Sequence, residues 1–140
     1  MMPRRFLSIA VLSLLVGCSS ARPEVALLAE GVEQFHRASN ADRPARADAL
    51  ARLGCRDAEV CAARAACVEA TAATAAALRG KLEAEAIVAE LEAGKRTSED
   101  PSVKALPSRL EEASQLLKKG HEIMPLCDHK VMVLRERYGL

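Results

Sequence analysis

Residues 57–93 read "DAEVCAARAACVEATAATAAALRGKLEAEAIVAELEA" and decide the fold. The stretch holds no proline, and its single glycine is Gly80. Alanine, the best helix former, fills much of it. Asp57 is suited to cap the first turn, and Glu59 is favourable near the positive end of a helix dipole. Val60, Cys67, Thr71, Thr74, Leu78, Leu82 and Ala89 recur along one helical stripe. Gly80 costs about 1 kcal/mol in a helix interior, too little to break such a run, so one continuous helix about 55 Å long is expected, ending at Gly94. A helix of that length in 140 residues needs partners along its apolar stripe. The fold class that follows is all-α: a small antiparallel bundle around one long helix.

The flanking segments supply the partners. Towards the N-terminus, Asp42 caps a short helix with Pro44 in its first turn, Ala47, Leu50 and Leu53 on one face, and Gly54 as its stop. Before it, Pro23 suits a first turn, and Val25, Leu28, Val32 and Phe35 carry a helix to about Ala38. Towards the C-terminus, "GKRTSEDPS" (94–102) is a loop, and Asp100-Pro101 starts a turn or short helix. Pro107 interrupts, and Ser108 to Glu111 is a capping-box pattern that restarts a helix. Leu110, Ala113, Leu117, His121 and Met124 share its face. Pro125 opens or kinks the last helix, which carries Cys127, Val131, Leu134 and Tyr138 and closes at Gly139. Four or five helices result, with no repeat and no sustained heptads.

The core of such a bundle is thin. The chain has 27 alanines, two phenylalanines, one tyrosine and no tryptophan. Alanine buries little apolar surface, so small domains of this kind need covalent staples.

The N-terminus, "MMPRRFLSIAVLSLLVGCSS" (1–20), sets an address. Arg4 and Arg5 precede an apolar run from Phe6 to Val16, too short to span a bilayer as helix and typical of an export signal. The junction Leu15-Val16-Gly17-Cys18 resembles the lipobox of bacterial lipoprotein precursors. The resemblance covers residues 1–20. It implies cleavage before Cys18, a diacylglyceryl thioether on Cys18 and an acylated amine, together a near-permanent anchor. Ser19, where the class uses Asp for inner-membrane retention, implies the outer membrane, and the domain is expected to face the periplasm. The domains expected are a signal peptide over 1–17, the lipidated Cys18 with a tether over 18–23, and a helical domain over 24–140. Residues 18–140 then carry 18 basic and 19 acidic residues, a net charge of −1. That balance implies no basic face, which disfavours nucleic acid and a polybasic membrane patch.

With lipid on Cys18, four of the five cysteines remain, and an exported chain pairs them. Cys61 and Cys67, six apart on one helix, lie about 9 Å apart along the axis and point to different sides, beyond disulfide reach. Cys55 lies just before the cap and reaches Cys61 in the second turn. The expected pairing is Cys55–Cys61 with Cys67–Cys127. The competing one, Cys55–Cys67 with Cys61–Cys127, needs a later helix start.

No catalytic signature is present: there is no G-x-S-x-G, H-E-x-x-H, P-loop, G-x-G-x-x-G, C-x-x-C or haem-attachment pattern. "HEIMPLCDH" (121–129) groups His121, Cys127, Asp128 and His129, ligand types for zinc or copper at a spacing that matches no metal motif. The function expected is therefore non-enzymatic and without a cofactor: a lipid-anchored envelope protein, held on the membrane through its N-terminal lipid, with a structural or protein-interaction role and an envelope protein as partner. The alternative is a periplasmic protein that binds a metal ion or small ligand around His121, Cys127 and His129.

Overall fold

The structure, a computed structural model, describes residues 21–140. The expected signal peptide, Cys18 and the first residues of the tether lie outside that range. The order is α1 (Ala21–Arg37), α2 (Arg43–Ala51), α3 (Ala58–Glu92), α4 (Pro101–Lys104) and α5 (Leu106–Tyr138). The fold is all-α, with α3 as its long central helix. Because α1 starts at Ala21, the stretch expected as tether ends before Pro23.

Local chemistry explains most boundaries. The Asp57 carboxylate accepts from the N–H groups of Glu59 and Val60, capping α3 as the sequence predicts. Asp57→Ala should therefore cost about 1 kcal/mol, read as a lower urea midpoint at unchanged slope. Gly80 sits inside α3 without interrupting it. Gly94 (φ 69°) and Gly139 (φ 65°) end α3 and α5 in the left-handed conformation, and Lys95 N–H to Glu90 O (2.9 Å) and Leu140 N–H to Arg135 O (3.0 Å) complete both C-terminal turns.

Four boundary expectations are corrected. Asp42 precedes α2 without capping it, because its carboxylate accepts instead from the Ser39 hydroxyl at 2.6 Å. Gly54 is not the stop of α2, which has already closed through Arg52 N–H to Ala49 O (3.1 Å) and Leu53 N–H to Leu50 O (3.2 Å). Ser108 forms no capping box: α5 begins at Leu106, Pro107 occupies its first turn without disruption, and the Ser108 hydroxyl donates to Ala105 O (2.9 Å). Pro125 neither opens nor ends a helix; α5 runs through it, leaving the His121 carbonyl without the N–H a proline cannot supply.

Cross-links give the topology. Glu24, in the first turn of α1, accepts from the backbone N–H groups of Arg56 (2.9 Å) and Asp57 (3.2 Å), which places the starts of α1 and α3 at one end. At the other end of α1, Phe35 packs with Ala47 and Ala75. Arg79 reaches Asp48 (2.8 Å) and Pro44 O (3.4 Å), and Arg64 reaches Ala51 O, so α2 runs antiparallel to α3. The α5 helix is antiparallel as well: Glu59 meets Arg137, Cys67 meets Cys127, Glu69 meets Lys119 (3.1 Å) and Glu83 meets Arg109 (3.8 Å). A continuous core of Val25, Leu28, Val32, Leu50, Val60, Val131 and Leu134 surrounds the Cys67–Cys127 bridge.

Val60, Cys67, Thr71, Thr74 and Leu78 of the expected α3 stripe are buried, but several other residues of the expected faces are not. Leu82 (47 %), Leu110 (48 %) and Leu117 (49 %) are well exposed, and so are Ala89 and His121. Beside the buried part of that stripe, α3 also turns inward Ala63, Ala70, Ala77 and Ala84, all buried and seven residues apart. On α5 it is Ala113, Gly120, Cys127 and Leu134, again seven apart. A seven-residue repeat is therefore present, but it is written in small residues. They let the two helices approach closely, and a Cβ placed on Gly120 would lie 2.3 Å from Thr74 Oγ1 and 3.0 Å from Ala70 O.

Beyond Arg79 neither α1 nor α2 is tied to α3 by any of these contacts. The distal third of α3 and the first turns of α5 continue as a two-helix arm, with α4 at its tip. Arg96 organises that tip by pairing with Glu90 and Asp100 (3.3 Å) and donating to the Ser102 hydroxyl (2.9 Å). Its pKa is raised, chiefly by the Glu90 bond. Bonds from the Ser102 hydroxyl and N–H hold the Asp100 carboxyl below its ordinary value, with a smaller contribution from Arg96.

Candidate functional site

The chemically distinctive residues fall into three places: the end where α1 begins, a cleft halfway along the bundle, and the arm.

At the first, Cys55 and Cys61 are joined across the turn into α3, with Cα atoms 5.4 Å apart. Cys67 and Cys127, Cα atoms 4.6 Å apart, are joined in the core, and both are fully buried. This is the pairing expected from helix geometry. The four cysteines are structural and leave no thiol among the described residues. The fifth, Cys18, lies outside the described residues, three positions before Ala21. Three residues reach at most about 10 Å, so whatever holds Cys18 holds this end of the bundle.

The second place is a cleft of about 350 Å³ where α1 ends against α5. Phe35, Leu117 and Met124 give it apolar walls, and His36, Arg43, His121 and Asp128 line the rest. His36 Nε2 and Asp128 Oδ1 are 2.9 Å apart, a link between α1 and α5 across 92 residues of sequence. The sequence reading missed this pair, and nothing local could have found it. Among the described residues the only hydroxyl in the lining is that of Thr74, and it donates to Ala70 O (3.1 Å). The cleft therefore holds no nucleophile set against a base.

The set His121, Cys127, Asp128 and His129 does not assemble. Cys127 is spent in a disulfide in the core, Asp128 pairs with His36, and His129 lines a different hollow, with Glu59 and Arg137. Among the described residues no three His, Cys, Asp or Glu side chains are placed to hold a metal ion. Helical periodicity separates them: at 100° per residue His121 and Asp128 share a face and His129 is turned away from it.

The chain matches no known family model, no curated protein and no solved structure. Its own geometry is thus the guide to function.

The third place, the arm, carries apolar residues that no helix of the bundle covers. Leu82, Val88 (39 %) and Leu110 are exposed within its length. Residues 80–113 hold five basic and eight acidic side chains, so the arm is acidic as well as partly apolar. By length and composition α3 would be apolar enough to cross a membrane, but half of that apolar window is buried inside the bundle. It is the core helix of the domain.

Proposed function

We propose that this is a lipid-anchored, non-enzymatic protein of the bacterial cell envelope that presents a helical arm to a protein partner. The observation that carries the reading is the opposition of its two ends. The chain leaves towards Cys18 at the start of α1, while the arm points the other way along helices of 35 and 33 residues. At 1.5 Å per residue the arm tip stands about 50 Å from the anchored end. Anchoring through Cys18 would hold the arm clear of the bilayer, and its exposed leucines are the kind of surface a partner helix covers. The two disulfides agree with an oxidising compartment. The lipobox resemblance with Ser19 supports an outer-membrane address, and we place the domain on its periplasmic side.

Two measurements test it together. Labelled palmitate should enter the wild-type chain and not Cys18→Ala. A photo-crosslinking residue at Leu82 or Leu110 in living cells should yield a discrete heavier species, with none from Leu27 on α1. A labelled chain with no crosslink at either arm position would remove the partner and leave only the anchor. The second reading, a ligand-binding protein, would rest on the His36–Asp128 cleft.

A further inference from the structure

Net charge conceals how the charges are distributed. At the end where α1 and α3 begin and α5 finishes, the exposed arginines are Arg22, Arg52, Arg56, Arg135 and Arg137, while the half-buried Arg64 is engaged with Ala51 O. Lys81, Lys95, Lys104, Lys118 and Lys119 lie elsewhere, and the half-buried Lys130 lines a hollow with Glu59 and Arg137. The acids at the same end are largely committed inward. Glu24 accepts from the backbone of Arg56 and Asp57, Asp57 caps α3, and Glu59 pairs with Arg137. Arg22, Arg52, Arg56 and Arg135 are exposed and have no side-chain partner among the described residues, with Glu136 as the unpaired acid opposing them. Guanidinium forks match phosphate oxygens in pairs, which an ammonium cannot do.

We propose that this end of the bundle rests on anionic phospholipid headgroups, with Arg22, Arg52, Arg56 and Arg135 contacting their phosphates. The proposal builds on the reading that Cys18 carries lipid, since the short connection to Ala21 is what brings this end to the bilayer. The acidic arm, at the far end, is repelled by the same surface, so the two charge sets act together to stand the molecule upright. Each arginine near an anionic leaflet shifts the equilibrium about fivefold, so four of them favour the seated orientation by several hundredfold.

The test uses the lipidated protein in nanodiscs, with amide exchange as readout. In discs containing phosphatidylglycerol, peptides spanning Ala51–Glu59 and Leu134–Tyr138 should exchange at least fivefold more slowly than in phosphatidylcholine discs. The tip, Lys95–Asp100, should be unchanged. Salt at 0.5 M, which shortens the screening length to a few ångström, should abolish the difference in the wild-type protein. Arg22→Gln, Arg52→Gln, Arg56→Gln and Arg135→Gln together should abolish it too, with tip exchange confirming an intact fold. Equal exchange in the two lipids overturns the proposal. So does equal protection in phosphatidylcholine discs on adding 20 mM inorganic phosphate, which would make the arginines a site for the free ion. A chain whose mass lacks the lipid and which does not enter discs refutes the anchor itself, a separate outcome from either.

Discussion

Removal of the Cys67–Cys127 bridge, by Cys67→Ala with Cys127→Ala, is expected to lower stability by about 4 kcal/mol. The bridge closes 60 residues of chain, and the loop-entropy argument assigns the larger contribution to the longer loop. Removing Cys55–Cys61, which closes six, should cost about 2.4 kcal/mol. The difference has a second source. Cys67 and Cys127 are fully buried among Val60, Val131 and Leu134, so truncating them also leaves space in the core, whereas Cys55 and Cys61 are half-exposed. For a domain of this size 4 kcal/mol is a large fraction of an ordinary stability and corresponds to a fall of about 15 °C in Tm. Thermal melts of the two double variants check this. Equal shifts would mean that the core bridge does not hold α5 to α3 in the way described.

Gly120→Ala is the second large effect, expected at about 2 kcal/mol of destabilisation. Helix propensity alone would make the change favourable by about 1 kcal/mol, since Gly120 lies within α5. Packing overrides it. The new Cβ would sit 2.3 Å from Thr74 Oγ1, 3.0 Å from Ala70 O and 3.1 Å from Thr74 N, and two of those three atoms are backbone that cannot swing aside. Thr74→Ala should recover part of the loss by removing the closest of them, so the two changes couple in a double-mutant cycle. Gly80→Ala is the internal control. Its Cβ meets Ala113 Cβ at an ordinary 3.6 Å, so the same substitution should stabilise by about 1 kcal/mol there. Urea midpoints moving in opposite directions for the two glycines would establish Gly120 as the tight crossing of α3 and α5. A stabilised Gly120→Ala would refute the close approach.

The His36–Asp128 contact and the tip cluster around Arg96 have different origins in the chain. Arg96, Asp100 and Ser102 lie within six positions of one another, and their bonds are consequences of local sequence. His36 and Asp128 meet because α1 runs alongside α3 while α5 runs against it. The same topology gathers Arg22, Arg52, Arg56 and Arg135 at one end. The sequence total of −1 for residues 18–140 does not reveal that end, because a total has no positions in it.

What could be read from the sequence alone follows from chemistry that acts over a few residues. The Asp57 cap, the uninterrupted helix through Gly80, the stops at Gly94 and Gly139 and the all-α class belong here. So does the disulfide pairing, because a rigid helix fixes which cysteines can meet. What only the tertiary structure decided is the rest of the facing surfaces of α3 and α5: Leu82, Ala89, Leu110 and Leu117 stay exposed, while Ala63, Ala70, Ala77, Ala84 and Gly120 are buried. Periodicity favours large side chains such as Leu82 and Leu117, since those bury most area. A line of alanines and one glycine gives no such signal. Its contribution is the short distance it permits between two backbones, and that distance exists only once both helices are in place.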